Sequence, residues 1–183
     1  GRHERSRLHD QSYSVAAPPP AGSAAKIDGP MRSRSAAPKP FRLLFVCSGN
    51  ICRSPLAEAL FKDLARAAGL GSRFSVDSAG THGFHEGDQA DPRTLRVGLK
   101  HGLIVDSIAR PVVDQDFDRF DLIVAMDRGH LRELIARAGT GRTATMGLMR
   151  KFDPHAKEQD VPDPYYGGEG CFETMYATLK PAG

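Results

Sequence analysis

Apolar runs and helical periodicities alternate along the chain from residue 41 onward. Residues 42–46 and 122–126 are almost entirely apolar, as expected for short strands that are buried on both faces of a sheet. Residues 73–78 alternate apolar and polar positions and predict a further strand, whereas residues 142–148 fit either a strand or a loop. The pattern therefore provides three strands and a fourth, ambiguous segment.

A helix is predicted directly after the first strand. Ser54 and Pro55 suit its N-cap and first helical position, and Gly69 suits its end. The apolar positions between these signals lie on one helical stripe: Leu56, Leu60, Phe61 and Leu64. This stripe indicates that the helix packs one face against the sheet.

Three more helices are predicted later in the chain. One begins at Asp91 and ends near Gly102, a second spans about 128–138, and a third lies near 170–179, where Pro181 is expected to interrupt it. Because strands alternate with helices, we expect an α/β fold with three layers. Its centre is a four-stranded parallel sheet that carries helices on both faces.

Residues 1–40 have a different composition from the rest of the chain. They contain six of the thirteen prolines, a single aromatic residue and no periodic apolar pattern, so we predict a disordered leader. Residues 1–30 are interpreted as sequence upstream of a native start at Met31, with a functional disordered tail as the alternative. Residues 41–183 are predicted to form one domain with a short C-terminus.

Charge and cysteine content limit the function classes. Residues 1–40 hold seven basic and three acidic side chains, whereas residues 41–183 hold eighteen and nineteen, so the net charge of +3 comes from the leader. A nearly neutral body gives no electrostatic footprint for nucleic acid. The sequence also lacks the roughly 18–20 consecutive apolar residues of a membrane span. Three cysteines favour reduced thiols and a cytoplasmic location over a disulfide scaffold.

The most informative segment joins the first predicted strand to the first helix. Residues 47–54, hereafter the thiol loop, read Cys-Ser-Gly-Asn-Ile-Cys-Arg-Ser. A loop at a helix N-terminus presents backbone N–H groups and predicts an anion site. It lacks the Gly-Lys-Ser/Thr ending of a nucleotide-binding loop and is too short for the dinucleotide fingerprint. It offers instead Cys47 and Arg53, six positions apart.

These two residue types suit phosphoryl transfer together. N–H dipoles and the Arg53 guanidinium favour a thiolate at Cys47, and the same donors bind phosphate oxygens. A thiolate aimed at a bound phosphate implies a phosphocysteine intermediate. Further along the chain, Asp163 could donate a proton to the leaving group and then activate water. The adjoining Tyr165 and Tyr166 could form aromatic walls around an aryl substrate.

The thiol loop with Pro55, together with the segment Asp-Pro-Tyr-Tyr-Gly at 163–167, resembles the low-molecular-weight protein tyrosine phosphatase family. The resemblance extends over about residues 41–176 and implies hydrolysis of phosphotyrosine in proteins. It implies Cys47 as nucleophile, Arg53 as phosphate binder and Asp163 as general acid and base. The whole loop would bind the phosphate: Ser48, Gly49, Asn50, Ile51, Cys52, Arg53 and Ser54.

The resemblance assigns finer roles to individual residues of the site. Asn50 would hold the shape of the loop, and Ser54 would form a hydrogen bond with the thiolate. Cys52 matches a neighbouring cysteine that can form a reversible disulfide with the nucleophile. Phe84 falls at the pocket rim with Tyr165 and Tyr166. No metal or organic cofactor is implied, and phosphotyrosine-containing proteins are the expected partners.

Other functions of the same loop stay open at this point. Arsenate reduction would use the same thiolate but needs further cysteines for a relay, and the sequence has none between Cys52 and Cys171. A phosphocysteine carrier should retain its phosphate, whereas Arg53 and Asp163 favour release to water. A silent phosphotyrosine-binding module is the third alternative.

Four further side chains have less specific interpretations. His82 and His85 have no third ligand at recognisable spacing, which favours rim or solvent positions over a metal site. Asp127 follows a strand, and it either braces the loop or caps the next helix. Cys171 is interpreted as structural.

Overall fold

The computed structural model describes residues 39–182, which contain a four-stranded parallel sheet. The strand order is β2-β1-β3-β4, so β1 lies in the interior with a neighbour on each side. The strands are β1 (Phe41–Cys47), β2 (Phe74–Gly80), β3 (Leu122–Ala125) and β4 (Thr145–Leu148). The predicted sheet is confirmed, and the ambiguous segment 142–148 contains its fourth strand.

Five α-helices accompany the sheet within the described residues. They are α1 (Arg53–Ala67), α2 (Pro92–Lys100), α3 (Asp116–Arg119), α4 (Arg128–Ala138) and α5 (Glu169–Leu179). The short α3 was not predicted, because four residues carry too little periodicity to be recognised. A 3₁₀ turn at Lys180–Ala182 contains Pro181 and follows α5.

Alternate residues of β1 point into two separate apolar clusters. Leu43 and Phe45 pack in one cluster with residues of α1, α2 and α5, whereas Leu44 and Val46 pack in the other with residues of α3 and α4. A strand exposes successive side chains to opposite faces of its sheet, so both faces of β1 are covered. The three-layer arrangement predicted from the sequence is confirmed.

The beginning of α1 differs from the prediction. Cys52, not Ser54, is the N-cap, and it makes no side-chain capping bond. Ser54 lies inside the first turn, where its hydroxyl contacts Asn50 and the sulfur of Cys47 instead of capping the helix. Leu64 is partly exposed and does not belong to the buried stripe that Leu56 and Leu60 form.

The carboxyl ends of the strands create one functional edge. Cys47, the last residue of β1, pairs in register with Gly80 of β2, and Val46 pairs with Ala125 of β3. Ligands of open α/β sheets bind beyond these ends, where the strand order reverses. The thiol loop leaves the sheet at this edge.

The predicted leader at 1–40 lies outside the residues that the structure describes, apart from residues 39 and 40. Across residues 39–182, no helix combines the length and the apolar character that crossing a membrane requires.

Candidate active site

Backbone hydrogen bonds fix the thiol loop to neighbouring segments. The N–H groups of Thr81 and His82 donate to the carbonyl oxygens of Cys47 and Ser48 at 2.8 and 3.0 Å. A side chain at Gly80 could not fit, because its Cβ would lie 2.6 Å from the Ser48 carbonyl oxygen. The loop is therefore positioned by its backbone against the end of β2.

Asn50 occupies the centre of the loop in a left-handed conformation. Its φ is 57°, and among non-glycine residues of the described chain it alone has a positive φ. Its Nδ2 donates to Ser54 Oγ and Ser78 Oγ, both at 2.9 Å, and its Oδ1 accepts from the Arg110 N–H at 3.0 Å. These three contacts offset the conformational cost and support the role predicted for Asn50.

The sulfur of Cys47 is buried and lies next to a hydroxyl group. Cys47 is 3% exposed, and its Sγ lies 3.1 Å from Ser54 Oγ. Because Ser54 already accepts a hydrogen bond from Asn50, its own proton is available to the sulfur or to the Ala79 carbonyl oxygen at 3.3 Å. The Ser54 hydroxyl is therefore in direct contact with the sulfur and able to donate to it.

Arg53 is the best-anchored charge at the site and is 4% exposed. Its Nη1 donates to Asp127 Oδ2 at 2.9 Å and to the Val161 carbonyl oxygen at 3.3 Å. Its Nη2 donates to Asp163 Oδ2 at 2.9 Å and to Ser48 Oγ at 3.3 Å. Contacts on both sides hold the guanidinium plane in one orientation, as a planar oxyanion receptor requires.

Asp163 is brought to the thiol loop from 110 positions further along the chain. Its side chain is about half exposed, and its Oδ1 accepts from the Tyr165 N–H at 3.2 Å. The five residues 163–167 are hereafter the acid loop. The structure thus brings together Cys47, Arg53 and Asp163, which the sequence predicted as one constellation.

Asp127 has both of the roles that were predicted as alternatives. It caps α4 by accepting from the His130 N–H at 2.8 Å, and it braces Arg53 through its other oxygen. Burial opposes ionisation of this carboxyl, but contacts with His130 and Arg53 outweigh burial and hold its pKa well below the usual range. Asp127 therefore stays ionised beside the guanidinium.

A cleft of about 390 Å³ lies over the thiol loop. Its floor contains Cys47 and Arg53, and its rim carries three aromatic side chains: Phe84, Tyr165 and Tyr166. Phe84 and Tyr166 are 79% and 97% exposed, so both rings are open to a ligand at the rim. The cleft suits an aromatic group that enters from solvent with its charged end against the arginine.

The two predicted histidine positions are both near this rim. His82 stacks on Phe84 with ring centroids 5.0 Å apart, whereas His85 lines the cleft 6.5 Å from the Tyr165 ring. Across residues 39–182, no group of three or more potential ligands could hold a metal ion.

The cysteines of the described chain are not paired with one another. Cys52 is buried, and burial, with Asp91 and Cys47 nearby, raises the pKa of its thiol to about 12. Cys171, predicted to be structural, is exposed at the start of α5, where it packs against Gly167 so closely that a Cβ there would lie 2.3 Å from its sulfur.

Several supporting residues were missed by the sequence interpretation. Arg93 forms a bidentate pair with Asp91 and donates to the Gly167 carbonyl oxygen at 3.0 Å. His130 lies against Ser48, with Nε2 2.8 Å from Oγ. Long-range contacts of this kind leave no local pattern, although both residues stand within three positions of a capping aspartate.

The fold and the site together define an α/β protein with a cysteine-containing, oxyanion-binding loop. A parallel α/β sheet ends its first strand in a buried cysteine, and the following loop and arginine form a cradle that suits a tetrahedral oxyanion. The sulfur-bearing residue Cys47 lines the same cleft as the arginine.

Comparisons with known proteins give the family. The sequence model described as "Low molecular weight phosphotyrosine protein phosphatase" matches residues 42–182. A low molecular weight protein-tyrosine-phosphatase from Streptomyces coelicolor is 52% identical over 145 residues, covering 78% of this chain and 88% of the relative. A low molecular weight phosphotyrosine protein phosphatase from Homo sapiens is 40% identical over 136 residues, with 73% and 85% covered.

A solved structure agrees with these relatives. A protein tyrosine phosphatase from Entamoeba histolytica matches with a TM-score of 0.75 and 46% identity, covering 78% of this chain and 91% of that structure. The chain belongs to the low molecular weight phosphotyrosine protein phosphatase family. The resemblance inferred from the thiol and acid loops is confirmed.

Proposed function

We propose that this chain hydrolyses phosphotyrosine in proteins, and small aryl phosphates, through a phosphocysteine intermediate. Family membership supports the reaction class, a phosphoric monoester hydrolase. The observation that supports the residue roles is the convergence of the Cys47 sulfur, the Arg53 guanidinium and the Asp163 carboxyl on one cleft.

Substrate binding begins with the phosphate in the cradle of the thiol loop. Two phosphate oxygens accept from Arg53, and the backbone N–H groups of the loop bind the others. A phosphate on Arg53 competes with the Asp163 carboxylate for Nη2, which the two groups cannot both occupy in the same geometry. Displaced from Nη2, the Asp163 carboxyl is free to turn to the leaving-group oxygen, where a general acid is needed.

The first chemical step transfers the phosphoryl group to sulfur. The Cys47 thiolate forms an S–P bond while the bond from phosphorus to the tyrosine oxygen breaks, and Asp163 gives its proton to that oxygen. Ser54 supports the step because its hydroxyl lies 3.1 Å from the sulfur. Arg53 follows the oxygens through the transition state.

The second step returns the enzyme to its starting state. Asp163, now a carboxylate, takes a proton from water as the water oxygen attacks phosphorus and the S–P bond breaks. Inorganic phosphate leaves, and the thiolate is restored. Without an acid and base at this position the phosphocysteine would persist, so Asp163 supports hydrolysis over a phosphate-carrier role.

The test compares turnover of a phosphotyrosine peptide and of para-nitrophenyl phosphate by the wild type and by Cys47→Ser. We expect the variant to lose activity by a factor on the order of 10³ or more, because it lacks the nucleophile. Cys171→Ser is the matched control and should retain turnover, since Cys171 does not line the cleft and serine nearly keeps the shape of the side chain that packs against Gly167. If the wild type instead releases one equivalent of para-nitrophenol and then stops, the chain is a phosphate carrier and not a hydrolase.

We also propose that Cys52 protects the nucleophile from overoxidation. Peroxide would oxidise the Cys47 thiolate to a sulfenic acid, and the Cys52 thiol would displace water from it to form a disulfide. Because burial raises the pKa of Cys52 to about 12, its thiolate is scarce and closure should be slow. Peptide mapping after peroxide treatment should find a Cys47–Cys52 linkage; sulfonic acid at Cys47 alone would contradict this role.

The proposed partners are phosphotyrosine-containing proteins, and the proposed location is the cytoplasm. The exposed aromatic rim supports recognition of a phosphotyrosine that projects from a protein surface. Three free thiols within residues 39–182 support a reducing compartment.

A further inference from the structure

Four side chains form a closed ring beside the oxyanion cradle. Arg53 donates from Nη1 to Asp127 and from Nη2 to Ser48. Between these two acceptors lies His130, whose Nε2 is 2.8 Å from Ser48 Oγ and whose Nδ1 is 3.0 Å from Asp127 Oδ2. The Nδ1 contact is close, but it lacks hydrogen-bond geometry. The ring therefore links both sides of one guanidinium through an imidazole.

The Ser48 hydroxyl lies between two members of the ring. Its Oγ is 2.8 Å from His130 Nε2 and 3.3 Å from Arg53 Nη2. A guanidinium can only donate, so Oγ accepts from Arg53 whichever way the proton lies between Oγ and Nε2. The imidazole thereby fixes the hydroxyl that faces the arginine.

Helix capping does not account for the imidazole. Asp127 caps α4 through the backbone N–H of His130, a contact that any side chain at this position would permit. Yet the His130 side chain is buried, and both of its nitrogens face members of the ring. The polar atoms of the buried His130 side chain therefore make their contacts with this ring of active-site residues.

The Ser48 contact matters most once an oxyanion is bound. Of the two acceptors of Arg53 Nη2, the Asp163 side chain is half exposed and competes with phosphate. Ser48 belongs to the thiol loop itself and stays next to the arginine. It is thus the protein contact that keeps Nη2 oriented when Asp163 turns to the leaving group.

We propose that His130 is a positioning residue that orients Arg53 for oxyanion binding through the hydroxyl of Ser48. The proposal rests on the proposed function in that the oxyanion is the phosphate of the substrate. It extends the site to a residue of α4 that does not line the cleft.

Calorimetric titration with inorganic phosphate tests this directly and needs no turnover. We expect Ser48→Ala and His130→Ala each to weaken phosphate binding about 3- to 10-fold, the net effect of losing one ordinary hydrogen bond. The double variant should bind phosphate about as weakly as the single variant with the lower affinity, because both changes break the same contact between Ser48 and His130. His130→Gln offers Ser48 both a donor and an acceptor and should bind phosphate within about twofold of wild type. His155→Gln, at an exposed histidine, is the matched control and should match wild type.

Wild-type affinity in His130→Ala, or losses that multiply in the double variant, would overturn the proposal. If His130→Ala does not fold, the other variants decide: weakened binding in His130→Gln with unchanged binding in Ser48→Ala would also overturn it. A separate measurement of para-nitrophenyl phosphate turnover distinguishes the two proposals. A wild type that binds phosphate but lacks turnover would refute the proposed function and leave the role of His130 to the binding data.

Discussion

Asn50 shows how one residue sets the shape of a catalytic loop. It adopts the left-handed region at a φ of 57°, where only glycine is free of steric cost, and its amide ties the thiol loop to Ser54, Ser78 and Arg110. Ser78 is itself held by the buried Glu58, whose Oε2 accepts from the Ser78 hydroxyl at 2.6 Å. The loop is therefore held by a buried polar network.

Two substitutions of Asn50 should separate its backbone role from its side-chain role. Asn50→Ala loses the three hydrogen bonds and places a Cβ without compensation in the left-handed region, so we expect the free energy of unfolding to fall by about 2–4 kcal/mol. Asn50→Gly loses the same bonds but accepts the conformation, and it should be about 1 kcal/mol more stable than Asn50→Ala. Urea denaturation measures the free energy of unfolding of both variants. An alanine variant as stable as the glycine variant would show that the left-handed conformation carries no steric cost here.

Asp163 should show its role in the dependence of rate on the leaving group. Asp163→Asn keeps the size of the side chain but cannot supply a proton. We expect its kcat to fall about 10²-fold with phenyl phosphate, whose phenolate is a poor leaving group, and much less with para-nitrophenyl phosphate. Steady-state kinetics with a series of aryl phosphates measure this, and an equal loss across the series would exclude the general-acid role.

Helix α2 connects the two loops of the site. The Asp91 N–H donates to the Ile51 carbonyl oxygen in the thiol loop at 2.8 Å, and Asp91 holds Arg93 through a bidentate pair. Arg93 then donates to the Gly167 carbonyl oxygen in the acid loop, and its guanidinium lies 4.4 Å from the centre of the Phe172 ring. The N-terminus of α2 thereby sets the distance between nucleophile and acid.

Arg93→Ala should loosen the acid loop without removing any group that touches substrate. We expect kcat to fall roughly 3- to 10-fold, because Asp163 is held less well in its productive position. Arg96→Ala is the matched control: this arginine lies on the same helix in an exposed pair with Glu169, and such pairs contribute little. Kinetics on aryl phosphates decide the matter, and equal rates for the two variants would refute a link through Arg93.

The sequence predicted those elements whose pattern is local. The strands β1 and β3, the caps at Asp91 and Asp127, and the thiol loop all follow from short-range signals. It could not predict that Ser54 would leave the cap position, since that choice depends on the sulfur and on Asn50 in three dimensions. For the same reason, the sequence did not indicate the roles of Arg93 and His130, because their contacts with Gly167 and Ser48 form only in the folded chain.

For the whole domain, the pKa of Asp127 links stability to pH. Its folded-state pKa is depressed, since the contacts with His130 and Arg53 exceed the effect of burial. A carboxyl of this kind stabilises the fold above its unfolded-state pKa of about 4, and that contribution is lost as the pH falls toward the folded value. The fold should therefore lose stability in acid.

Asp127→Asn tests this linkage. We expect the wild-type free energy of unfolding to decline steadily below about pH 5, and the variant to decline less steeply because one titrating group is gone. The slope with pH, measured by urea denaturation at several pH values, is the quantity to compare. Parallel slopes for wild type and variant would show that Asp127 does not carry the acid sensitivity.

In the proposed mechanism, Cys47 takes the phosphoryl group from the substrate. The decisive measurement is acid quenching of the enzyme within its first turnover of an aryl phosphate, followed by mass spectrometry of its peptides. We expect one added phosphoryl group on the peptide that contains Cys47, bound to sulfur and absent from Cys47→Ser. Steady turnover with the phosphoryl group on another residue, or undiminished turnover in Cys47→Ser, would contradict it.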